Sequence, residues 1–243
     1  MSAPALAPEL LPAVAQRWHT LCSDLQAIAR AHPDAVFANS LAAEDMVIQH
    51  ALARLALPIQ SFTLNTGRLH EETLALIPRI QERYNVHVHV LEPDPKTVAA
   101  HVDAHGAYAF YDSLELRKAC CHLRKVAPLT QFLQGRSAWV TGQRREQSQT
   151  RAELHAVEND TSFGLRKFNP LCDWLHDDVW QVIRHFQIPY NPLHDQGYPS
   201  IGCDPCTRAI RPGEDLRAGR WWWEQRDSIE CGLHQSPIRH TSN

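Results

Sequence analysis

Apolar residues recur at helical spacing from about Glu9 to Ala31 (Leu11, Val14, Trp18, Leu21, Leu25, Ile28), and the run stops before His32-Pro33. This predicts an amphipathic helix laid over a core. A short apolar run, Ala35 to Ala38, then meets Asn39-Ser40 and a helical stretch from about Ala42 to Leu55. The same unit repeats with Ile59 to Leu64, a Thr66-Gly67 turn and a helix from about His70 to Tyr84. Val86 to Leu91 reads as a third strand, Lys96 to His105 as a short helix, and Ser113 to Leu133 as a long helix ending near Gly135. Ala138 to Gly142 is a fourth strand that runs straight into the polar loop Gln143 to Arg151. Beyond Glu153 the pattern loosens. A strand or hairpin is expected in Leu154 to Leu171, a helix from Asp177 to Phe186, and irregular structure after Ile188-Pro189.

Strands that alternate with helices predict an α/β fold, a parallel sheet wound by helices on both faces, with ligands at the carboxyl ends of the strands. The loops after Phe37, Leu64 and Val140 then share one rim.

With 44% hydrophobic and 21% charged residues in 243, the chain has the composition of an ordinary globular protein, not of a disordered or coiled-coil one. A net charge of -3 carries no nucleic-acid signature. No apolar run approaches the roughly 18 to 20 residues that span a bilayer, and the first residues carry acid instead of a basic n-region, so a cytoplasmic location away from membranes is expected. The charge is uneven. From Arg117 to Arg151 there are eight Lys and Arg against the single acid Glu146, a stretch that suits a small polyanion.

Three loops on the expected rim carry chemistry. At Ser40 a strand is delivered into a helix N-terminus, where free N–H groups and the helix dipole make an anion site to which a hydroxyl is added; a plain helix cap would have the same sequence. At Leu64-Asn65-Thr66-Gly67-Arg68, Gly67 allows close backbone approach and Thr66 offers a hydroxyl, although a simple turn also fits. The loop Gly142 to Arg151 holds Arg144, Arg145 and Arg151 among hydroxyl and amide side chains, and with Glu146 its single acid, the scarcity of interleaved acid partners favours bidentate contacts to phosphate or sulfate over a solvated loop.

The cysteines are more specific. Seven is an odd number, with Cys120 and Cys121 adjacent and Cys203 and Cys206 in a C-x-x-C, which is poor arithmetic for a secreted disulfide framework. Four thiolates suit a tetrahedral zinc or a [4Fe-4S] cube. Adjacent residues on a helix diverge by about 100°, so two neighbouring cysteines converge poorly on one zinc, whereas separate corners of a cube accept the divergence. Cys22 and Cys172 sit singly in apolar settings and read as unliganded thiols, and Lys125, one turn from Cys121, could sit beside a negatively charged cluster. In the tail, Cys231 with His234 three residues on is placed as a reactive thiol whose pKa an imidazolium would lower. Upstream, Arg217 and Arg220 with Trp221 to Trp223 form a basic aromatic segment that either packs on the core or closes over a nucleotide.

In order, the stretches Ser40 to Asp45, Leu64 to Gly67, Cys120-Cys121 with Arg124-Lys125, Gly142 to Arg145, Gly202 to Arg208, Gly219 to Glu224 and Glu230 to His234 resemble the assimilatory sulfonucleotide reductases. The resemblance covers about Phe37 to His234, and the paired cysteines with the C-x-x-C mark that family's iron–sulfur branch, which acts on adenosine 5′-phosphosulfate. It implies an adenine nucleotide α hydrolase-like fold related to the pyrophosphatases with a Ser-Gly-Gly-x-Asp loop, a [4Fe-4S] cluster on Cys120, Cys121, Cys203 and Cys206, and thioredoxin as electron donor. Cys231 would be the nucleophile, tuned by His234, with positive charge from Lys125, Arg144, Arg145, Arg151, Arg217 and Arg220. Ser40, Leu64, Asn65, Thr66 and Gly67 complete the implied substrate site. Residues 1–207 would form the reductase domain and 208–243 a mobile segment carrying the catalytic cysteine; a homo-oligomer is left open. Two departures stand out: Leu41-Ala42 replace the two glycines, and Asn65 stands where the family's loop usually has Asp. The competing readings are the same chemistry on the 3′-phosphorylated nucleotide, an ATP-dependent adenylating enzyme, and a non-catalytic zinc or iron–sulfur module.

Overall fold

A computed structural model of the protein describes residues 9–148 and 151–224. Six strands form one sheet: β1 (Val36–Ala38), β2 (Gln60–Leu64), β3 (Val88–Leu91), β4 (Ala138–Val140), β5 (Val157–Asp160) and β6 (Leu165–Phe168). Their spatial order is β3-β2-β1-β4-β6-β5. All neighbours run parallel except β5, which pairs antiparallel with β6 as the outer arm of a hairpin. The order reverses at β1, which lies between β2 and β4, and a crevice opens at such a switch point.

Alternate residues of the central strands feed two separate cores, as the period of two requires. Phe37, Ala138 and Val140 join the larger core with α1 (Pro12–Ala31), α2 (Ala43–Arg54), α3 (Glu71–Tyr84) and the later helix His176–Phe186, through Trp18, Leu21, Met46, Leu76, Val179 and Ile183. Val36, Phe62 and Trp139 face the other way and pack with Leu129 and Leu133. Helices therefore cover both faces. In chain order α4 is Pro95–His105, α5 Leu114–Cys121, α6 Ala127–Leu133 and α7 His176–Phe186. No helix among the described residues is long and apolar enough to cross a membrane.

Two details differ from the expectations. The third strand begins at Val88, because Asn85 caps α3 in the left-handed conformation (φ 51°) and turns the chain first. The long helix is interrupted: a π-helical turn, His122–Val126, separates α5 from α6. Pro128 has no N–H to give the Arg124 carbonyl, and the Ala127 N–H reaches back five residues to His122. The described part of the C-terminal segment is bonded back onto the domain: Arg208 N–H donates to Gly219 O, Ile210 N–H to Gly197 O, and Trp221 N–H to Cys206 O.

Candidate active site

The loops after β1, β2 and β4 meet, as the strand alternation requires, around a cavity of about 230 Å³ at the switch point. Ser40, Leu64 and Thr66 line one side and Arg144 and Arg151 the other. Lys125 enters from the π-helical turn, and Arg217 and Arg220 close the cavity from the C-terminal segment. The cation-rich character expected from sequence is present, but its distribution is not as expected.

The arginines of the loop after β4 have acid partners from elsewhere in the chain. Arg144 is 1% exposed; its Nε and Nη2 donate to Glu44 at 3.0 and 2.8 Å, and its Nη1 donates to Glu146 at 2.7 Å and to the Trp174 carbonyl at 3.1 Å. It is a clamp between α2, its own loop and the chain before α7. Arg145 is directed away from the cavity, pairing with Asp173 and donating to the Leu154 carbonyl at 2.7 Å. Arg151 donates to Gln147. Arg145, expected from sequence at the anion, is here engaged by Asp173: a count of acids within the loop could not register Glu44 and Asp173, which are about 100 and 28 residues away in sequence.

Asn65 and Gly67 also stand off the cavity lining. Asn65 donates to Glu92 at 2.8 Å and accepts from Gly67 N–H at 3.1 Å, an Asx turn that shapes the loop so that Thr66 faces inward. Gly67 supplies the positive φ (68°) this turn needs. At the first loop, Ser40 is not a helix cap. The cap position is Ala42, with no side-chain bond, and Ser40 donates its N–H and hydroxyl to Asp45 at 2.6 and 2.5 Å. Leu41, which replaces a glycine of the related loop, keeps a left-handed φ of 66° and is fully buried, so core packing holds a strained backbone that glycine would adopt without cost.

Two acids at the start of α2 were not assigned a role from sequence. Burial pushes the Glu44 carboxyl up and the Arg144 guanidinium more than offsets it, holding it below the usual range. Asp45 has no such cation, and burial pushes it up to about 7, against the hydrogen bonds from Ser40 and Gly142 and with the Glu44 charge adding to the rise. Gly142 is required where it stands, since a Cβ there would lie 2.1 Å from Asp45 Oδ1. The signal was present in Glu44-Asp45 directly after the Ser40 loop, in the first turn of a helix.

A second, smaller cavity lies behind the first and is lined by Cys120, Cys121, Cys203 and Cys206 together with Arg124 and Lys125. Cys120 and Cys121 come from the end of α5; Cys203 and Cys206 come from a turn anchored by Asp204 N–H to Arg68 O at 2.8 Å and Tyr111 hydroxyl to Pro205 O at 2.6 Å. Burial raises the Cys203 thiol, but Lys125 and a 3.2 Å contact with the Thr66 hydroxyl lower it overall. Cys206 is pushed up to about 12 by burial and by the charges of Cys203 and Cys121. Among the described residues no group of three or more His, Cys, Asp or Glu side chains is placed to hold a single metal ion. Four sulfurs around one cavity still suit a cube, which asks each thiolate to reach only its own iron. Lys125, Arg220 and Trp221 line both cavities and form the wall between them.

Arg117, fully buried on α5, is stacked on Trp221 at 4.7 Å and paired with Glu224, so it fixes the end of the described chain against the cysteine cavity. Trp221 is buried among the cysteines and Trp223 packs half-buried against the same cluster and Tyr111, while Trp222 between them is 42% exposed. Cys172 is buried and Cys22 half-buried, each with its thiol pushed up by burial, as befits unliganded sulfur. Cys231 and His234 lie outside the described residues, as do Gln149 and Thr150 of the arginine loop.

A parallel sheet with a donor-rich cavity at its switch point is the layout of a nucleotide-binding α/β protein. Solved structures share that fold: FMN adenylyltransferase of Candida glabrata in complex with FAD and pyrophosphate (TM-score 0.55, 12% identity, 95% of this chain and 80% of that one) and phosphoadenylyl-sulfate reductase of Candida auris in a phosphate complex (TM-score 0.65, 23% identity, 84% of this chain and 100% of that one). Residues 34–209 match the phosphoadenosine phosphosulfate reductase domain, and the chain belongs to that family. It is 55% identical to the adenosine 5′-phosphosulfate reductase of Burkholderia cepacia, over 96% of this chain and 94% of that protein, and 51% identical to the protein of the same name from Allochromatium vinosum, over 96% and 90%.

Proposed function

We infer that the protein reduces adenosine 5′-phosphosulfate to sulfite and AMP, as an oxidoreductase of assimilatory sulfate reduction with thioredoxin as the electron donor. The observation that carries this reading is the shared wall: the cysteine cavity and the nucleotide-sized cavity meet at Lys125, Arg220 and Trp221. The names of relatives at 51 to 55% identity across almost the whole chain support the same substrate.

In this reading the Cys231 thiolate attacks the sulfur of the bound sulfate. The S–O bond to the phosphate breaks, its electron pair leaves with AMP, and an S-sulfocysteine remains on the enzyme. A thioredoxin thiolate then attacks Cys231 Sγ and sulfite departs with the S–S bond pair. Thioredoxin's second thiolate attacks its own sulfur in the mixed disulfide, returning Cys231 as a thiolate and leaving thioredoxin oxidised. Lys125, Arg217 and Arg220 offset the charge of the phosphosulfate, which would otherwise repel a thiolate. Arg144 acts through Glu44 by fixing α2 against the loop after β4. His234 lowers the Cys231 pKa.

Cys120, Cys121, Cys203 and Cys206 would hold a [4Fe-4S] cluster, and the cations beside them suit its negative charge. Such a cluster supplies a fixed anionic neighbour to Lys125 and ties α5 to the 203–206 turn. No electron passes through it in this scheme, since the dithiol provides both.

The test compares turnover of adenosine 5′-phosphosulfate and its 3′-phosphorylated form by anaerobically purified protein with thioredoxin, alongside iron and sulfide analysis. Preference for the unphosphorylated ribose, with about four irons per chain, is expected. Equal or better turnover of the 3′-phosphorylated nucleotide would assign the substrate otherwise, and stoichiometric zinc in a colourless protein would remove the cluster.

A further inference from the structure

Asp45 sits where an anion is expected to bind, and it is itself an acid. Its carboxylate takes the Ser40 N–H at 2.6 Å and the Ser40 hydroxyl at 2.5 Å, and lies so close to Gly142 that no side chain fits there. It therefore occupies the donors that the turn after β1 would offer to a ligand anion, while bridging the loops after β1 and β4. Asp45 lines the cavity and is 6% exposed. Among the described residues it makes no ion pair, and Arg144, which lines the same cavity, is engaged by the neighbouring Glu44.

The other charged groups around the cavity are Lys125 from the π-helical turn, Arg151 from the loop after β4 and Arg217 and Arg220 from the C-terminal segment. His176, at the start of α7, completes the titratable set. The cations compensate a ligand anion. They do not remove the repulsion between that anion and a second, buried carboxylate competing for the same donors.

We propose that Asp45 couples nucleotide binding to the uptake of one proton: as the phosphosulfate enters beside Ser40, the carboxylate takes a proton from solvent, and the Ser40 N–H and hydroxyl pass from Asp45 to the ligand. The neutral carboxyl keeps the Gly142 contact and gains an O–H that donates to the ligand. Burial already brings this group to about 7 before any ligand arrives, so the added proton comes cheaply at neutral pH. Asp45 is in this sense a positioning group for the substrate anion, and the inference rests on the functional reading above.

The test is calorimetric titration of Cys231→Ser protein with adenosine 5′-phosphosulfate, which binds there without reacting, in buffers of different ionisation enthalpy from pH 5.5 to 8.5. Heat that depends on the buffer should report uptake of about 0.5 to 1 proton at pH 7.5 to 8, fading below about pH 6 where Asp45 is protonated beforehand, with affinity falling up to about tenfold per pH unit above 7. Asp45→Asn in the same background should bind without proton uptake and with a flat pH profile. Binding by the parent with no uptake at any pH overturns the proposal alone. Uptake that persists in Asp45→Asn assigns the proton to another group, such as His176, and also overturns it. If Asp45→Asn does not fold, the parent's profile decides, since uptake that does not fade below pH 6 contradicts the proposal. Absence of binding at every pH would overturn both the proposal and the functional reading.

Discussion

The two adjoining cavities solve the problem of buried charge in opposite ways. At the nucleotide cavity, the buried Arg144 of the loop after β4 is matched by acids, Glu44 and Glu146. Around the cysteine cavity, Arg124 and Lys125 face sulfur. Arg124 donates to the Thr66 carbonyl, and the Lys125 charge is what draws the Cys203 thiol down. A cation that already holds a carboxylate positions a loop, whereas a cation facing thiols has charge to spend on whatever they bind. Positive sequence composition alone does not separate the two cases.

The sharpest way to break this comparison is Arg144→Ala. It leaves Glu44 buried without its partner next to Asp45, and removing one member of a buried pair costs about 3–5 kcal/mol. Denaturant unfolding should show that loss together with at least a hundredfold fall in kcat/KM. Arg145→Ala, at an exposed pair directed away from the cavity, should cost no more than about 1 kcal/mol and leave turnover nearly intact.

Next in size is Glu224→Ala, which strands the fully buried Arg117 guanidinium beside Trp221 and the cysteine cavity, with a stability loss of about 2–3 kcal/mol. If Glu224 fixes the start of the tail that carries Cys231, kcat should fall more than KM rises, and Glu224→Gln should recover part of it. Equal effects on both parameters would make the pair merely structural.

The smallest effect lies far from both cavities. His50 is buried against Trp18, Tyr84 and Phe186, and burial with the charges of Arg54 and Arg83 lowers it to about 4. A base whose folded pKa is depressed contributes stability above its unfolded value of about 6.5, and that contribution is lost as pH falls toward about 4. The Tm should drop across that window, and His50→Phe should flatten the drop without changing activity at neutral pH.

Much of the architecture was legible because it rests on local periodicity: the apolar spacing of α1 and the strand-loop-helix repeats around Ser40 and Thr66 reappear in the sheet with helices on both faces. The four cysteines were legible by number and spacing, and they line one cavity. What escaped depends on partners distant in sequence. Arg145 looked free because Asp173 is 28 residues away; of the two acids on Arg144, Glu44 lies 100 residues back, and only Glu146, two residues on, was in view. The π-helical turn escaped because helical periodicity does not register a missing N–H at Pro128. Asp45 escaped because a carboxylate at a helix start is ordinary until burial and Gly142 enclose it.

The central claim is that the wall shared by the two cavities serves a sulfur transfer to Cys231. The direct measurement is the intact mass of anaerobically purified protein after incubation with adenosine 5′-phosphosulfate and no reductant. The account predicts one equivalent of AMP and a chain heavier by a single SO₃ group, mapped by peptide analysis to Cys231 and discharged as sulfite when reduced thioredoxin is added. An unmodified chain with no AMP released, or an adduct on a different cysteine, would contradict it.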